Sequence, residues 1–156
     1  GYDSVAIKAD LEIGGNDQKF NMLMGRRMQR KYGMLEQDVL TLPLLEGTDG
    51  VHKMSKSLGN YVGLTEKPEV MFGKLMSISD SLIAKYAELL TDLPVEKIKD
   101  LAEKDPRKAK MELAEKIVEM YHGKSAGEKA QKEFVRVVSN KETPSKVESA
   151  KLKLKS

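Results

Sequence analysis

The stretch that decides the fold runs from Leu11 to Asn21 and reads Leu11-Glu12-Ile13-Gly14-Gly15-Asn16-Asp17-Gln18-Lys19-Phe20-Asn21. Apolar and polar residues alternate weakly from Ala9 to Ile13, which predicts a short strand that ends in a tight turn at Gly14-Gly15. A helix is predicted from Asp17 to about Tyr32. This order of elements predicts one strand–turn–helix unit of an α/β domain.

The rest of the chain predicts one more strand, at Val39–Leu45, and then helices. Strand, glycine turn, helix and strand are typical of an open α/β sheet, although two strands are too few for a complete one. Beyond Pro68 the sequence reads as helix, and Ala109, Leu113, Ile117 and Tyr121 recur every fourth residue. We therefore predict a mainly α chain, in which a remnant of an α/β domain is followed by an α-helical bundle of about five helices.

Composition excludes several classes of protein. The 156 residues are 40% hydrophobic and 33% charged, which indicates a globular chain, and no apolar run approaches the roughly 20 residues of a membrane helix. Cysteine is absent, which excludes disulfides and thiolate metal sites and fits a reducing compartment. The net charge of +3 equals that of the last 16 residues alone, which hold five Lys and two Glu. That tail is either a solvated terminus or a basic approach to RNA phosphates.

The string Lys53-Met54-Ser55-Lys56-Ser57, called the lysine loop below, lies in a glycine-rich segment from Gly47 to Gly63. Lysine ammonium groups are compact charges on flexible stems and suit phosphate oxygens whose charge changes during a reaction. Serine hydroxyls and exposed amides add hydrogen-bond donors. The letters Lys-x-x-Lys alone would also fit a solvated basic loop.

Two motifs carry a resemblance to a family. The lysine loop is identical to the signature loop of class I aminoacyl-tRNA synthetases, and Leu11–Asn21 resembles the turn and helix that carry substrate contacts in tyrosyl-tRNA synthetases of the bacterial type. The resemblance runs from Gly1 to about Asn140. It implies that residues 1–66 are the C-terminal part of a Rossmann-type nucleotide-binding catalytic domain. Residues 67–140 would then resemble an anticodon-binding helical domain, and residues 141–156 a basic linker or tail.

The resemblance also assigns roles to residues. It implies that Lys53 and Lys56 are catalytic and that Asp3 and Gln18 bind tyrosine. The sequence itself shows no ligand set for a metal. The residues implied in ATP binding are Gly15, Asp17, Lys53, Met54, Ser55, Lys56 and Ser57. A carboxylate at Asp3 could accept the hydrogen bond of a phenol and so reject phenylalanine, a principle for which the tyrosyl enzyme is itself the standard example. Independently of the resemblance, Asn16 or Asp17 could cap the predicted helix.

The implied substrates are ATP, accompanied by Mg²⁺, L-tyrosine and tRNA(Tyr), in a cytoplasmic enzyme that is a homodimer at full length and has no membrane association. The family's other signature, a His-x-Gly-His segment, does not occur in this sequence. We therefore expect the chain alone to lack ligase activity, as a fragment without the N-terminal half of the catalytic domain.

Two alternatives stay open at the level of sequence. A tryptophanyl-tRNA synthetase shares the lysine loop and the Asp-Gln turn, but usually has a histidine after the turn, where this sequence has Lys19-Phe20-Asn21. A helical tRNA-binding module without catalysis would also explain the lysine-rich helices and the basic tail.

Overall fold

The computed structural model describes residues 1–139 and divides into two compact units, Gly1–Leu45 and a second that begins at Glu46. The chain is mainly α, with one small parallel sheet, as predicted. No helix within residues 1–139 is long and apolar enough to cross a membrane. The predicted division at 66/67 stays a prediction about domains, and the predicted tail, 141–156, lies outside the described residues.

The first unit contains both strands. Its elements are α1 (Tyr2–Ala6), β1 (Leu11–Gly15), a 3-10 turn (Asn16–Gln18), α2 (Lys19–Lys31) and β2 (Asp38–Leu42). The strands are parallel, and the register places Leu11 opposite Asp38 and Gly15 opposite Leu42.

Two local predictions for this unit are wrong, and one helix was not predicted. Gly14 and Gly15 do not form a tight turn, because both pair with β2 inside β1. Asn16 and Asp17 lie within the 3-10 turn, so Gln18 takes the N-cap position of α2, without a side-chain cap. The short helix α1 carries no periodic pattern and was not expected.

A buried glutamine holds the first unit together. Gln29 on α2 is fully buried, and its Nε2 donates to the carbonyls of Ser4 (3.2 Å) and Ala9 (2.9 Å). Its Oε1 accepts a hydrogen bond from the amide of Gln37 at 2.7 Å. One side chain therefore ties α2 to α1, to the segment before β1 and to the segment before β2.

In the described part of the second unit, five α-helices follow the glycine-rich segment. They are α3 (Pro68–Met76), α4 (Ile83–Leu90), α5 (Val95–Lys104), α6 (Pro106–His122) and α7 (Lys124–Phe134), with a 3-10 turn at Asp80–Leu82 and a π-helical turn at Val135–Ser139. Prolines open α3 and α6, where a missing amide costs no intrahelical bond.

The core of the second unit is apolar and closed. Helix α6 packs against α3, α5 and α7, and α4 packs against α5 and α6. Fully buried side chains include Phe72, Ile83, Ile98 and Leu113. The fourfold spacing in α6 is confirmed at Ala109, Leu113 and Ile117, which are all buried, but not at Tyr121, which is 46% exposed near the end of the helix.

Candidate functional site

The lysine loop is held at its base by the side chain of Asn60, which is only 4% exposed. Oδ1 of Asn60 accepts a hydrogen bond from the amide of Ser55 at 2.8 Å, while Nδ2 donates to the carbonyl of Lys53 at 3.2 Å. The same Nδ2 also donates to Oδ2 of Asp49 at 3.0 Å. One amide group therefore holds the main chain on both sides of Met54.

Asp49 completes this arrangement as an acceptor. Its Oδ1 accepts from the amides of Val51 (3.0 Å) and His52 (3.1 Å), and its Oδ2 lies 3.2 Å from Nδ1 of His52. The hydrogen bond from the Val51 amide, helped by those from Asn60 and His52, lowers the pKa of Asp49 to about 2. The carboxylate is therefore ionised at neutral pH and can only accept hydrogen bonds.

Glycines make this close arrangement possible. A Cβ on Gly47 would lie 2.3 Å from Cγ and 2.5 Å from the carbonyl oxygen of Asn60. The amide of Gly47 donates to the carbonyl of His52 (2.8 Å), and the amide of Thr48 donates to the carbonyl of Asn60 (2.8 Å). Gly59 has a φ of +69° and closes a turn by donating to the carbonyl of Lys56 at 3.2 Å.

The two lysines of the loop differ in their main-chain setting. Lys53 forms an isolated antiparallel bridge with Glu46, whereas Lys56 lies in the turn closed by Gly59. Both lysine side chains are exposed. The hydroxyls of Ser55 and Ser57 lie 2.8 Å apart, and either could donate.

Glu46, the bridge partner of Lys53, is fixed to helix α4. The Tyr86 hydroxyl donates to the Glu46 carbonyl at 2.6 Å, and Nζ of Lys85 lies 2.7 Å from the Glu46 carboxylate. Burial, together with the negative charges of Glu46 and Asp49, raises the pKa of Tyr86 to about 12. The phenol therefore stays protonated and remains a donor at neutral pH.

The remaining residues that the resemblance implies in ATP and tyrosine binding lie in the first unit. Gly15 ends β1, and a Cβ there would lie 2.6 Å from Oδ1 of Asp17 and 2.9 Å from Cδ2 of Leu44. The side chains of Asp17 and Gln18 are exposed, and Gln18 Oε1 accepts from Nδ2 of Asn21 at 3.0 Å. A side chain at position 15 would thus occupy the space beside the Asp17 carboxylate.

Asp3 lies in the first turn of α1, and its side chain is exposed. Asp3, Gly15, Asp17 and Gln18 thus belong to the first unit, and the lysine loop belongs to the second. Within residues 1–139, no group of three or more His, Cys, Asp or Glu is arranged to hold a metal ion.

Sequence reasoning missed the residues that support the lysine loop. Asn60 and Asp49 stand close to it in sequence, and the only signal was that each adjoins a glycine, Gly59 and Gly50. Tyr86 lies in the segment beyond Pro68 that reads as helix, and nothing in the sequence there indicates a role for its hydroxyl.

The chain matches the family described as tRNA synthetases class I (W and Y) over residues 1–139. It therefore belongs to this family of class I tRNA synthetases. The match covers both the strand–helix unit and the helices that follow the lysine loop.

Individual relatives narrow the comparison. The chain is 51% identical to the tyrosine–tRNA ligase of Carboxydothermus hydrogenoformans over 97% of its own length, and 52% identical to that of Thermotoga maritima over 92%. It spans 38% and 37% of these two proteins, respectively.

A solved structure supports the fold. The crystal structure of tyrosyl-tRNA synthetase from Aeropyrum pernix matches 88% of this chain and 50% of its own, with a TM-score of 0.64 and 19% identity. At that identity the likeness concerns the fold alone.

Proposed function

We propose that this chain is the later part of a tyrosine–tRNA ligase, which activates L-tyrosine with ATP and transfers the tyrosyl group to tRNA(Tyr). The observation that carries the proposal is the lysine loop, held on a polar support with both lysines exposed, in a chain about half identical to proteins of that name. The tryptophan alternative is less favoured, because the similar ligases described above are named for tyrosine.

In the first step, a carboxylate oxygen of tyrosine attacks the α-phosphorus of ATP, and the bond to the bridging oxygen of pyrophosphate breaks. Negative charge then develops on the leaving pyrophosphate. Lys53 and Lys56 would stabilise that charge, and the amides and hydroxyls of Met54, Ser55 and Ser57 would add donors. No side chain acts as a nucleophile, so positioning and electrostatics supply the rate.

The first unit would hold the adenosine and the amino acid. The Asp17 carboxylate can accept hydrogen bonds from the ribose diol, and a side chain at position 15 would crowd that carboxylate, since its Cβ would lie 2.6 Å from Oδ1 of Asp17. Gln18 would bind the tyrosine or its adenylate, and Asp3 would accept the hydrogen bond from the phenol.

The remaining partners follow from the same proposal. In the second step a terminal ribose hydroxyl of the tRNA attacks the carbonyl carbon of the tyrosyl-adenylate, the ester bond forms and AMP leaves. The lysine-rich helices would approach the tRNA near its anticodon. Mg²⁺ would arrive bound to the ATP phosphates, since no group of three or more His, Cys, Asp or Glu within residues 1–139 is arranged to hold it. The whole protein would be a cytoplasmic homodimer.

The test is ATP–pyrophosphate exchange with purified protein. The whole ligase should exchange label only when tyrosine is present, and tryptophan or phenylalanine should not replace it. The chain Gly1–Ser156 alone should give no exchange, because it has no His-x-Gly-His segment. Exchange driven equally by tryptophan, or full exchange by the chain alone, would refute the corresponding part of the proposal.

A further inference from the structure

We propose that Asn60 and Asp49 form a positioning clamp for the lysine loop, so that Lys53 is held in place while Lys56 moves to the pyrophosphate. The inference rests on the proposed function, because it concerns how the same loop is controlled. The hydrogen bonds of both residues are to groups of the loop and its flanking segments. Both are therefore positioning residues rather than catalytic ones.

The pattern of hydrogen bonds separates the two lysines. Asn60 binds the carbonyl of Lys53 and the amide of Ser55, so the main chain is fixed up to Ser55. Beyond that point, the hydrogen bond from Gly59 to Lys56 closes a local turn that includes no clamp atom. The segment 56–59 is therefore the part that can move without breaking the clamp.

The clamp is also tied to the helices. Lys53 pairs with Glu46 in the isolated bridge, and Glu46 is bound by Tyr86, whose side chain is fully buried. A rigid element thus supports one side of the loop, and the Asp49–Asn60 pair supports the other. Precise placement of a charge is worth much in catalysis, because an error of about 1 Å can cost roughly 100-fold in rate.

The chemistry of the pair makes it sensitive to isosteric changes. Asp49 is an ionised acceptor with three main-chain or amide donors around it, from Val51, His52 and Asn60. Replacing Asn60 by Asp would keep the size and the acceptor for Ser55. It would remove the Nδ2 donor and set two carboxylates against each other.

The substitution Asn60→Asp in the whole ligase should therefore lower kcat of tyrosine-dependent exchange by about 10- to 100-fold, with KM for tyrosine unchanged. The swap Asp49→Asn with Asn60→Asp restores a donor–acceptor pair in the opposite sense and should recover part of the loss. If the loss of kcat in the swap, expressed as a free energy, equals the sum of the losses in Asp49→Asn and Asn60→Asp alone, the clamp is overturned. Such additivity would show that the two residues act independently.

A matched control lies in the helices. Nε2 of Gln131 donates to the Glu115 carboxylate at 2.8 Å, so Gln131→Glu makes the same chemical change away from the loop. It should leave exchange activity unchanged. An equal loss of kcat in Gln131→Glu and Asn60→Asp would mean general destabilisation and would refute a positioning role.

Amide hydrogen exchange on the chain itself tests the clamp without any assay of activity. The Ser55 amide should exchange about tenfold faster in Asn60→Ala, while the Thr91 amide, bonded to the carbonyl of Ala87, should keep its rate. If the Ser55 amide exchanges its hydrogen at the same rate in Asn60→Ala as in the unchanged chain, the clamp is overturned, even if the ligase is active. If the whole protein shows no tyrosine-dependent ATP–pyrophosphate exchange, the proposed function fails and the positioning role fails with it.

Discussion

The two compact units are built on opposite principles. In the second unit the interior is apolar, with Phe72, Ile83 and Leu113 fully buried. In the described residues of the first unit, the largest fully buried side chains are two glutamines, Gln29 and Gln37. The second unit is therefore stabilised mainly by burial, and the first by a specific set of hydrogen bonds.

The sheet of the first unit differs from the core of the second unit in that its apolar side chains are exposed. The register and the alternation of strand side chains place four apolar residues on one face, and all of them are about half exposed: Leu11, Ile13, Leu40 and Leu42. Parallel sheets normally have both faces covered. The chain spans 37–38% of the two ligases compared above, and a covering surface in the rest of a longer protein would complete this face.

The largest effect is expected from the core of the second unit. Tyr86→Ala should lower the free energy of unfolding by about 3–5 kcal/mol, because it leaves a large cavity and removes the hydrogen bond to Glu46. Tyr86→Phe keeps the ring and should cost only about 1 kcal/mol. Urea denaturation of both variants separates the two contributions; equal losses would contradict a core dominated by burial.

The next effect concerns the first unit. Gln29→Leu keeps a side chain of similar size but leaves the carbonyls of Ser4 and Ala9 and the amide of Gln37 without this partner. We expect the free energy of unfolding of this unit to fall by about 2–3 kcal/mol. The NMR signals of α1 and β1, recorded at increasing urea concentration, measure this loss. A change below 0.5 kcal/mol would show that the unit does not depend on its polar interior.

A smaller effect is expected on the sheet face. In the chain alone, Leu40→Lys should change stability by no more than about 0.5 kcal/mol, because the side chain is 49% exposed. In the whole ligase the same substitution should cost more than about 1 kcal/mol, since the face would be covered there. Equal changes in thermal denaturation of the two proteins would contradict a covered face.

The smallest effect is a dependence on pH in the second unit. The pKa of Asp49 is about 2 in the folded chain, below the roughly 3.9 of an unfolded aspartate. Its contribution to stability is therefore present above pH 4 and is lost as the pH falls towards 2. The free energy of unfolding, measured by urea denaturation, should fall less between pH 5 and pH 2.5 for Asp49→Asn than for the unchanged chain. If it falls equally in both proteins, the acid sensitivity comes from other groups.

Sequence reasoning reached the elements that have a repeating pattern. The spacing of Ala109, Leu113 and Ile117 predicts a buried helical face, and that face exists. The five residues of α1 are too few to show a period, and short helices depend on tertiary contacts such as that between Gln29 and Ser4. Gly14 and Gly15 were misread because strand pairing with Thr41 and Leu42 overrides their preference for turns.

For the candidate site, the lysine loop could be recognised from the sequence, whereas the residues that hold it in place could not. Asn60 acts through hydrogen bonds to main-chain atoms of Lys53 and Ser55. Every residue type has such atoms, so the sequence of the bonded residues does not reveal these bonds. The anchoring of Glu46 by Tyr86 joins residues 40 positions apart, which no local pattern encodes. Motifs thus identify candidate ligand-binding groups more readily than the residues that hold those groups in place.

The most direct measurement is tyrosine-dependent ATP–pyrophosphate exchange by the whole ligase carrying Lys56→Ala. The rate should fall by about 100-fold or more, with the affinity for tyrosine unchanged, because the cation proposed to stabilise the leaving pyrophosphate is lost. Lys99→Ala is the control, since Lys99 is bonded to Glu96 on the surface of α5 at 3.0 Å and should have no effect. A Lys56→Ala enzyme within twofold of the unchanged protein would contradict the role of the lysine loop.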